Sequence, residues 1–212
     1  MAKAVVFDCD GVLVDSEDLA WDAWRQLLAR HGIELTMEDE AVLTGRTEQV
    51  AYEHFASRGD LPPYEDFWPQ LAEAVTKRFE EQLGAFEDAL LTLRALRARE
   101  TPVAVASSSP RQRLDLALRR TGLIDLVEVT VAGDEVGLGK PAPDLFLEAA
   151  ARLGLEPSEC VAVEDSPAGV EAAVAAGMAV VAVDRGRYDP HLFGGALVVV
   201  DRLSPEMLDL EG

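Results

Sequence analysis

The chain is short of cysteine, of basic residues and of long apolar runs, and each shortage excludes a class of protein. Its 212 residues hold two cysteines, Cys9 and Cys160. Two thiols cannot build a disulfide framework, and these lack the paired spacing of a zinc site, so both read as reduced core thiols of a cytoplasmic protein. Lys and Arg total 19 against 39 Asp and Glu, a formal net charge of −20. Such a surface repels a polyanion at long range, so no nucleic-acid partner is expected. No uncharged apolar run approaches the ~18 residues that span a bilayer. The opening stretch reaches a carboxylate at Asp8, too early for a signal peptide, so no membrane partner is expected either. Internal repeats and low-complexity linkers are also missing. What is present is globular: 49% hydrophobic and 27% charged residues, enough to build a core. The length corresponds to ~1.4 domains of about 150 residues, which suits one α/β core with a sizeable insertion.

Ala4-Val5-Val6-Phe7 is a short buried-strand pattern that stops at Asp8-Cys9-Asp10-Gly11. From about Ser16 to Gly84 the texture is helical and holds all three tryptophans, Trp21, Trp24 and Trp68. Ser16 reads as an N-cap, with Glu17 and Asp18 in the first turn. Leu19, Trp24, Leu27 and Leu28 follow at near-helical spacing, and His31-Gly32 ends the helix. A second helix is predicted from about Thr47 to Gly59, and a third from Tyr64 to Gln82 with Pro69 as a kink or first-turn residue. Beyond Glu87 helix and strand alternate. Helix Ala89–Arg99 precedes strand Val103–Ala106, and Ser109-Pro110 opens a helix that runs to Arg120. Strand Val129–Val131, a glycine-rich loop to Lys140-Pro141 and helix Asp144–Leu153 come next. Strand Val161–Val163, helix Pro167–Ala176 and strands Val180–Val183 and Leu197–Val200 complete the series. This alternation predicts a parallel sheet covered on both faces. The expected fold is α/β, a Rossmann-like parallel-sheet core of residues 1–15 and 88–212 with a helical domain, 16–87, inserted after the first strand.

Open parallel sheets bind ligands beyond the carboxyl ends of their strands, and here those ends carry reactive groups. The first strand ends in Asp8 and Asp10, the second in Ser107, the third leads to Lys140, and Glu164-Asp165 follow the fourth. Each has a bland reading by itself: a solvated turn, a helix cap, a surface charge, a neutralised helix start. All four at the strand ends of one sheet outweigh those readings. Clustered carboxylates repel unless a cation or proton sits among them, and an all-oxygen set without a His or Cys constellation suits Mg2+ rather than zinc. Lys140 and the Ser107 hydroxyl are placed to hold other oxygens of a phosphoryl group, and helix starts near Pro110 and Pro167 offer further N–H donors.

At these residues the chain resembles the haloacid dehalogenase superfamily, in its phosphatase and phosphomutase branch. The matching segments are Phe7 to Ser16, Ala106-Ser107-Ser108-Ser109, Gly139-Lys140-Pro141-Ala142-Pro143-Asp144 and Glu164-Asp165-Ser166-Pro167-Ala168-Gly169. The resemblance implies that Asp8 is a nucleophile forming an aspartyl-phosphate. Asp10 would protonate the leaving oxygen and then activate water. Mg2+ would bind the Asp8 carboxylate, the Asp10 carbonyl and Asp165, with Glu164 either direct or behind them. Ser107 and Lys140 would hold the transferring phosphoryl oxygens, with Ser108 beside them on the substrate. The helical insertion resembles the family's cap. Leu43-Thr44-Gly45-Arg46-Thr47 resembles a substrate-specificity loop, which makes Thr44, Gly45 and Arg46 candidate substrate contacts, and Arg111 is a candidate at the entrance.

The expected function is a Mg2+-dependent, monomeric phosphatase for a small phosphorylated metabolite of the sugar-phosphate class. The name-giving dehalogenases lack the metal site and the second aspartate, both present here as Asp165 and Asp10. A phospho-acceptor signalling domain also uses an aspartate, Mg2+, a hydroxyl and a lysine, but the Asp8-x-Asp10 pair and the large insertion count against it. The β-phosphoglucomutases are the closer alternative. They carry a His in the first cap helix where this chain has Ala20, and an Arg after the loop glycine where it has Glu48.

Overall fold

The computed structural model describes residues 2–43 and 48–208. The chain divides into two compact units, Met1–Asp15 with Gly84–Gly212, and Ser16–Leu83. The larger unit is built on six short strands rich in Val and Ala: β1 Ala4–Phe7, β2 Val103–Ala106, β3 Val129–Val131, β4 Cys160–Glu164, β5 Ala179–Val183 and β6 Val198–Val200. All neighbours pair in parallel, in the order β3-β2-β1-β4-β5-β6. Every residue of β1, β2 and β4 is buried, so both sheet faces are covered, as the run of apolar residues without polar alternation predicts.

Successive side chains of a strand face opposite sides, and one side is conspicuously small. Ala4, Val6, Ala104, Ala106, Ala162 and Ala182 form one cluster with Leu145, Phe146, Ala149 and Ala150 of α7 (Asp144–Leu153) and with Val170, Ala172 and Ala173 of α8 (Pro167–Ala175). Small residues let these helices sit close to the sheet, and Phe146 fills the remaining space at 0% exposure. Truncating it to alanine would cost about 3–5 kcal/mol. Helix α7 stops where Gly154 adopts φ +71°, the left-handed C-cap conformation that glycine accepts without strain. α8 starts on Ser166, whose side chain accepts from the Gly169 N–H. Helices α5 (Glu87–Ala98) and α6 (Arg111–Arg120) complete this unit. In this strand order the winding reverses between β1 and β4, which opens a crevice at their carboxyl ends.

The chain leaves the larger unit after Asp15 and returns at Gly84. The return is held by backbone bonds: Val14 forms an antiparallel bridge with Ala85, the Asp15 N–H donates to the Gly84 carbonyl at 3.1 Å, and the Phe86 N–H to that of Leu13 at 3.0 Å. The boundary therefore falls a few residues before the one read from the sequence, because residues 84–86 join the larger unit through backbone groups that leave no side-chain pattern.

The smaller unit contains α1 Glu17–Ala29, α2 Met37–Leu43, α3 Glu48–Ala56 and α4 Tyr64–Gln82. Phe67, Leu71, Val75 and Phe79 recur every fourth residue along α4 and are buried, as are Trp24, Leu27 and Leu28 of α1. Trp24 meets Phe55 and Phe67 with ring centroids 5.7 and 5.4 Å away, the offset arrangement aromatic pairs prefer. Pro69 lies inside α4 and does not end it. Ser16 occupies the N-cap position of α1 without a side-chain capping bond. Helix α2 was not expected from the sequence. Its start is a reciprocal cap: Thr36 Oγ1 accepts from the Asp39 N–H, while the Asp39 carboxylate accepts from the Thr36 N–H and hydroxyl. Asp39 also binds His54 Nε2 at 2.8 Å and Arg58 at 2.6 Å. Burial opposes its ionisation, but these bonds outweigh burial and hold the carboxyl well below the usual carboxylate range. Among the described residues no helix is long and apolar enough to cross a membrane.

Candidate active site

Strand β1 runs into Asp8, whose N–H continues the pairing with β4 by donating to the Val163 carbonyl at 2.9 Å. The chain then turns back on itself, with the N–H groups of Leu13 and Val14 on the Cys9 carbonyl. Gly11 makes the turn possible for two reasons. Its φ is +81°, and a Cβ there would lie 1.9 Å from Oδ2 of Asp165. Asp8 is 5% exposed, Asp165 6% and Glu164 0%. One carboxylate oxygen from each lies within 4.8 Å of those of the other two.

Lys140 enters this cluster from the loop after β3. Its Nζ lies 2.5 Å from both Asp8 Oδ1 and Glu164 Oε1, and 3.3 Å from the Ala106 carbonyl. The other Glu164 oxygen accepts from the Asp165 N–H, the Ser166 N–H and the Ser166 hydroxyl, at 2.9–3.0 Å. Gly169 makes room for it, since a Cβ there would fall 1.8 Å from Glu164 Oε1. Burial pushes the Asp8 carboxyl up to about 8, against the pull of Lys140 and helped by the charges of Glu164 and Asp10. Burial works against the Lys140 charge too, yet Asp8 and Glu164 together raise its pKa. The two directions have different causes: burial raises Asp8, whereas the two carboxylates that face the one ammonium raise Lys140. Buried carboxylates thus outnumber the cation beside them. An all-oxygen, hard donor set with surplus negative charge fits a divalent cation such as Mg2+ and does not resemble a zinc site.

Asp10 is held from β2. Its Oδ2 accepts from the Ser109 hydroxyl at 2.9 Å and from the Ser107 hydroxyl at 3.4 Å, and Ser107 Oγ in turn accepts from the Ser109 N–H at 3.0 Å. The structure therefore gathers Asp8, Asp10, Ser107, Lys140, Glu164 and Asp165 at one sheet edge, on the crevice between β1 and β4.

A family model described as haloacid dehalogenase-like hydrolase matches residues 2–177. The chain belongs to this family. It is 31% identical over 209 residues to the bifunctional riboflavin kinase/FMN phosphatase of Arabidopsis thaliana, covering 96% of this chain but 54% of that one, so it spans about half of that relative. It is 32% identical to the fructose-1-phosphate phosphatase YqaB of Escherichia coli, over 82% of this chain and 92% of the relative. A crystal structure of a HAD family hydrolase from Deinococcus radiodurans with bound phosphate and sodium superposes with a TM-score of 0.78. It is 37% identical and covers 98% of this chain and 93% of that one.

Two residues singled out in the sequence, Ser109 and Arg111, have partners that it did not suggest. In the sequence Ser109 opens a helix together with Pro110. In the structure Pro110 occupies the N-cap position of α6, and the Ser109 hydroxyl goes to Asp10 instead. The run of three serines was the available signal, since neighbouring hydroxyls beside a carboxylate compete for it. Arg111, the candidate at the entrance, is engaged within the larger unit. All five of its guanidinium donors are used, on Glu135 at 2.7 and 3.0 Å, on Asp115 at 3.0 Å, and on the Thr130 hydroxyl and carbonyl at 2.8 and 3.1 Å. Together with Arg152 it closes the edge of β3. Ser108 is exposed, its carbonyl packed where a Cβ on Gly133 would come within 2.2 Å. Thr44, Gly45 and Arg46 lie outside the described residues. Cys9 and Cys160 are both buried and unbonded to each other, and burial pushes the Cys9 thiol up.

Proposed function

We propose that the chain is a Mg2+-dependent phosphatase of small phosphorylated metabolites, of the sugar-phosphate class, working through an aspartyl-phosphate on Asp8. The observation that carries this reading is Lys140 bridging Asp8 and Glu164 at the crevice, with Asp165 beside them. Relatives named as FMN and fructose-1-phosphate phosphatases support the reaction, and the phosphate and sodium in the Deinococcus hydrolase support an anion with a cation. The unit Ser16–Leu83 is assigned the role of the family's cap, with Thr44, Gly45 and Arg46 as substrate contacts.

On this reading one Asp8 carboxylate oxygen attacks phosphorus while the bond to the leaving oxygen breaks, and Asp10 gives that oxygen its proton. Asp10, now a carboxylate held by Ser109, takes a proton from water, which attacks the same phosphorus and frees Asp8 and inorganic phosphate. Lys140 and Ser107 hold the phosphoryl oxygens through both steps. Mg2+, held by Asp8, the Asp10 carbonyl and Asp165, would neutralise charge on those oxygens and keep Asp8 ionised despite its burial. Glu164 acts behind them, fixing Lys140 with one oxygen and the Asp165 backbone with the other.

The test is phosphate release from a panel of phosphorylated metabolites, with Mg2+ and with EDTA. Steady turnover that EDTA abolishes is expected, and Asp8→Asn should retain less than about 10⁻³ of it, as for loss of a covalent nucleophile. A variant retaining more than about a hundredth of the rate refutes the Asp8 nucleophile. A burst that stops at one phosphate per chain would favour the signalling alternative.

A further inference from the structure

Beyond the residues at the reacting centre, the larger unit holds a buried ion pair that the proposed chemistry does not use. Arg185 follows β5, and Asp88 opens α5. Their side chains are 12% and 7% exposed, and the guanidinium reaches both carboxylate oxygens, at 2.9 and 3.1 Å. Asp88 is fixed independently, its oxygens accepting from the Ala89 N–H at 2.9 Å and the Leu203 N–H at 2.8 Å. Burial opposes its charge, but Arg185 and these N–H groups keep its pKa low. The guanidinium also lies over the Phe86 ring, 4.1 Å from the centroid.

What the rest of the guanidinium does is the informative part. Its Nε lies 3.4 Å from the Gly11 carbonyl and one terminal nitrogen 3.3 Å from that of Val12. Gly11 directly follows Asp10, and its Cα sits against the Asp165 carboxylate so tightly that a methyl would collide. A buried ion pair by itself is weak evidence for stability, because desolvation offsets most of the attraction. A planar fork with one edge on a fixed carboxylate and its other donors on two successive carbonyls is suited to a geometric task, which an ammonium cannot copy.

We propose that Arg185 is a positioning residue: anchored by Asp88, it fixes the turn at Gly11 and Val12 and so sets the placement of Asp10 and Asp165. This rests on the phosphatase reading for its kinetic consequence, but not for its structural one. A second tie from the same loop, Arg187 to Asp15 at 3.7 Å, points the same way.

The experiment compares wild type with Arg185→Met, Arg185→Lys and Asp88→Asn. Two quantities are read: kcat and KM for p-nitrophenyl phosphate with saturating Mg2+, and hydrogen exchange of the amides at residues 11–14. Misplacing catalytic groups by a fraction of an ångström to an ångström costs up to about 10²-fold. Arg185→Met and Asp88→Asn should therefore lower kcat by about 10- to 100-fold, with KM inside about twofold. Arg185→Lys should fail to restore it. Exchange at Gly11 and Val14, whose N–H groups bond within the turn, should speed by at least about tenfold, while β2 amides stay protected. Unchanged kcat per folded molecule, or unchanged exchange in the turn, overturns the proposal, as does full rescue by lysine. Should wild type release no phosphate, the phosphatase reading fails, and the exchange measurement alone decides the clamp. Asp88→Asn keeps an acceptor for Leu203, so it supplies the answer if Arg185→Met does not fold.

Discussion

Replacing Lys140 by methionine tests the charge balance of the site without relying on catalysis. The side chain is 8% exposed and lies 2.5 Å from two carboxylates that are 8% and 0% exposed. Methionine is similar in length and fills the same space, so the change is almost purely electrostatic. Burial already lifts Asp8 to about 8, so without the ammonium the burden falls on Glu164, which must stay charged and unpaired or take up a proton. Breaking a buried pair in the first way costs about 3–5 kcal/mol. The second way limits the loss. A carboxyl that titrates near 4 in the unfolded chain is about three pH units from neutrality, at about 1.4 kcal/mol each, which comes to about 4 kcal/mol. Both routes give about 3–4 kcal/mol at pH 7, and for a chain of this size that lowers Tm by roughly 6–16 °C. The sign with pH follows. A carboxyl whose folded pKa is raised destabilises above its unfolded pKa and costs less as pH falls, so the deficit should shrink to about 1.5 kcal/mol at pH 5. Thermal melts in EDTA at both pH values measure this, and millimolar Mg2+ should recover more Tm in the variant than in wild type. A Tm in EDTA within about 2 °C of wild type at pH 7 refutes the surplus of buried negative charge.

Asp165→Ala should raise the Mg2+ midpoint for activation at least ~10-fold without lowering Tm in EDTA, since it removes like charge; an unchanged midpoint takes Asp165 out of the metal shell. Arg111→Ala should lower Tm and leave KM for any accepted substrate within about twofold, because its donors close the β3 edge; a large KM rise would restore it to the substrate. Glu135 is held down to about 2 chiefly by Arg111, so its contribution to stability is complete above its ordinary pKa of 4.5 and disappears as pH falls toward 2. Glu135→Gln should accordingly flatten the acid limb of a Tm profile, and an unaltered limb contradicts the pairing. With β-glucose 1-phosphate and a trace of its bisphosphate, inorganic phosphate should exceed glucose 6-phosphate if the sugar is accepted; the reverse selects the mutase.

What could be read from the sequence divides along one physical line. Strands and long helices were legible because burial imposes a period, as in Phe67, Leu71, Val75 and Phe79 along α4. The grouping of six candidate residues was legible because reactive groups stood at or beyond the ends of those strands. Helix α2 was not, since seven residues are too few for a period and only its cap, Thr36 with Asp39, announces it. Ser109, Arg111 and Arg185 share another difficulty. Each is committed to a partner at least nineteen residues away in the chain. Nothing in local spacing encodes such a partner.

The acidity of the whole chain bears on how an anionic substrate is held. A formal charge of −20 works against any phosphate approaching the surface. On the proposed reading Lys140 is the cation that meets the phosphoryl group, and it is already shared between Asp8 and Glu164. An ammonium so engaged can orient a phosphoryl oxygen but cannot also neutralise a dianion. On the proposed reading a divalent cation held there would do two things at once: relieve the repulsion among Asp8, Glu164 and Asp165, and supply the attraction that the protein surface withholds. Apparent substrate affinity should then depend on Mg2+ concentration as well as kcat, and chelation should remove binding, not merely slow the chemistry.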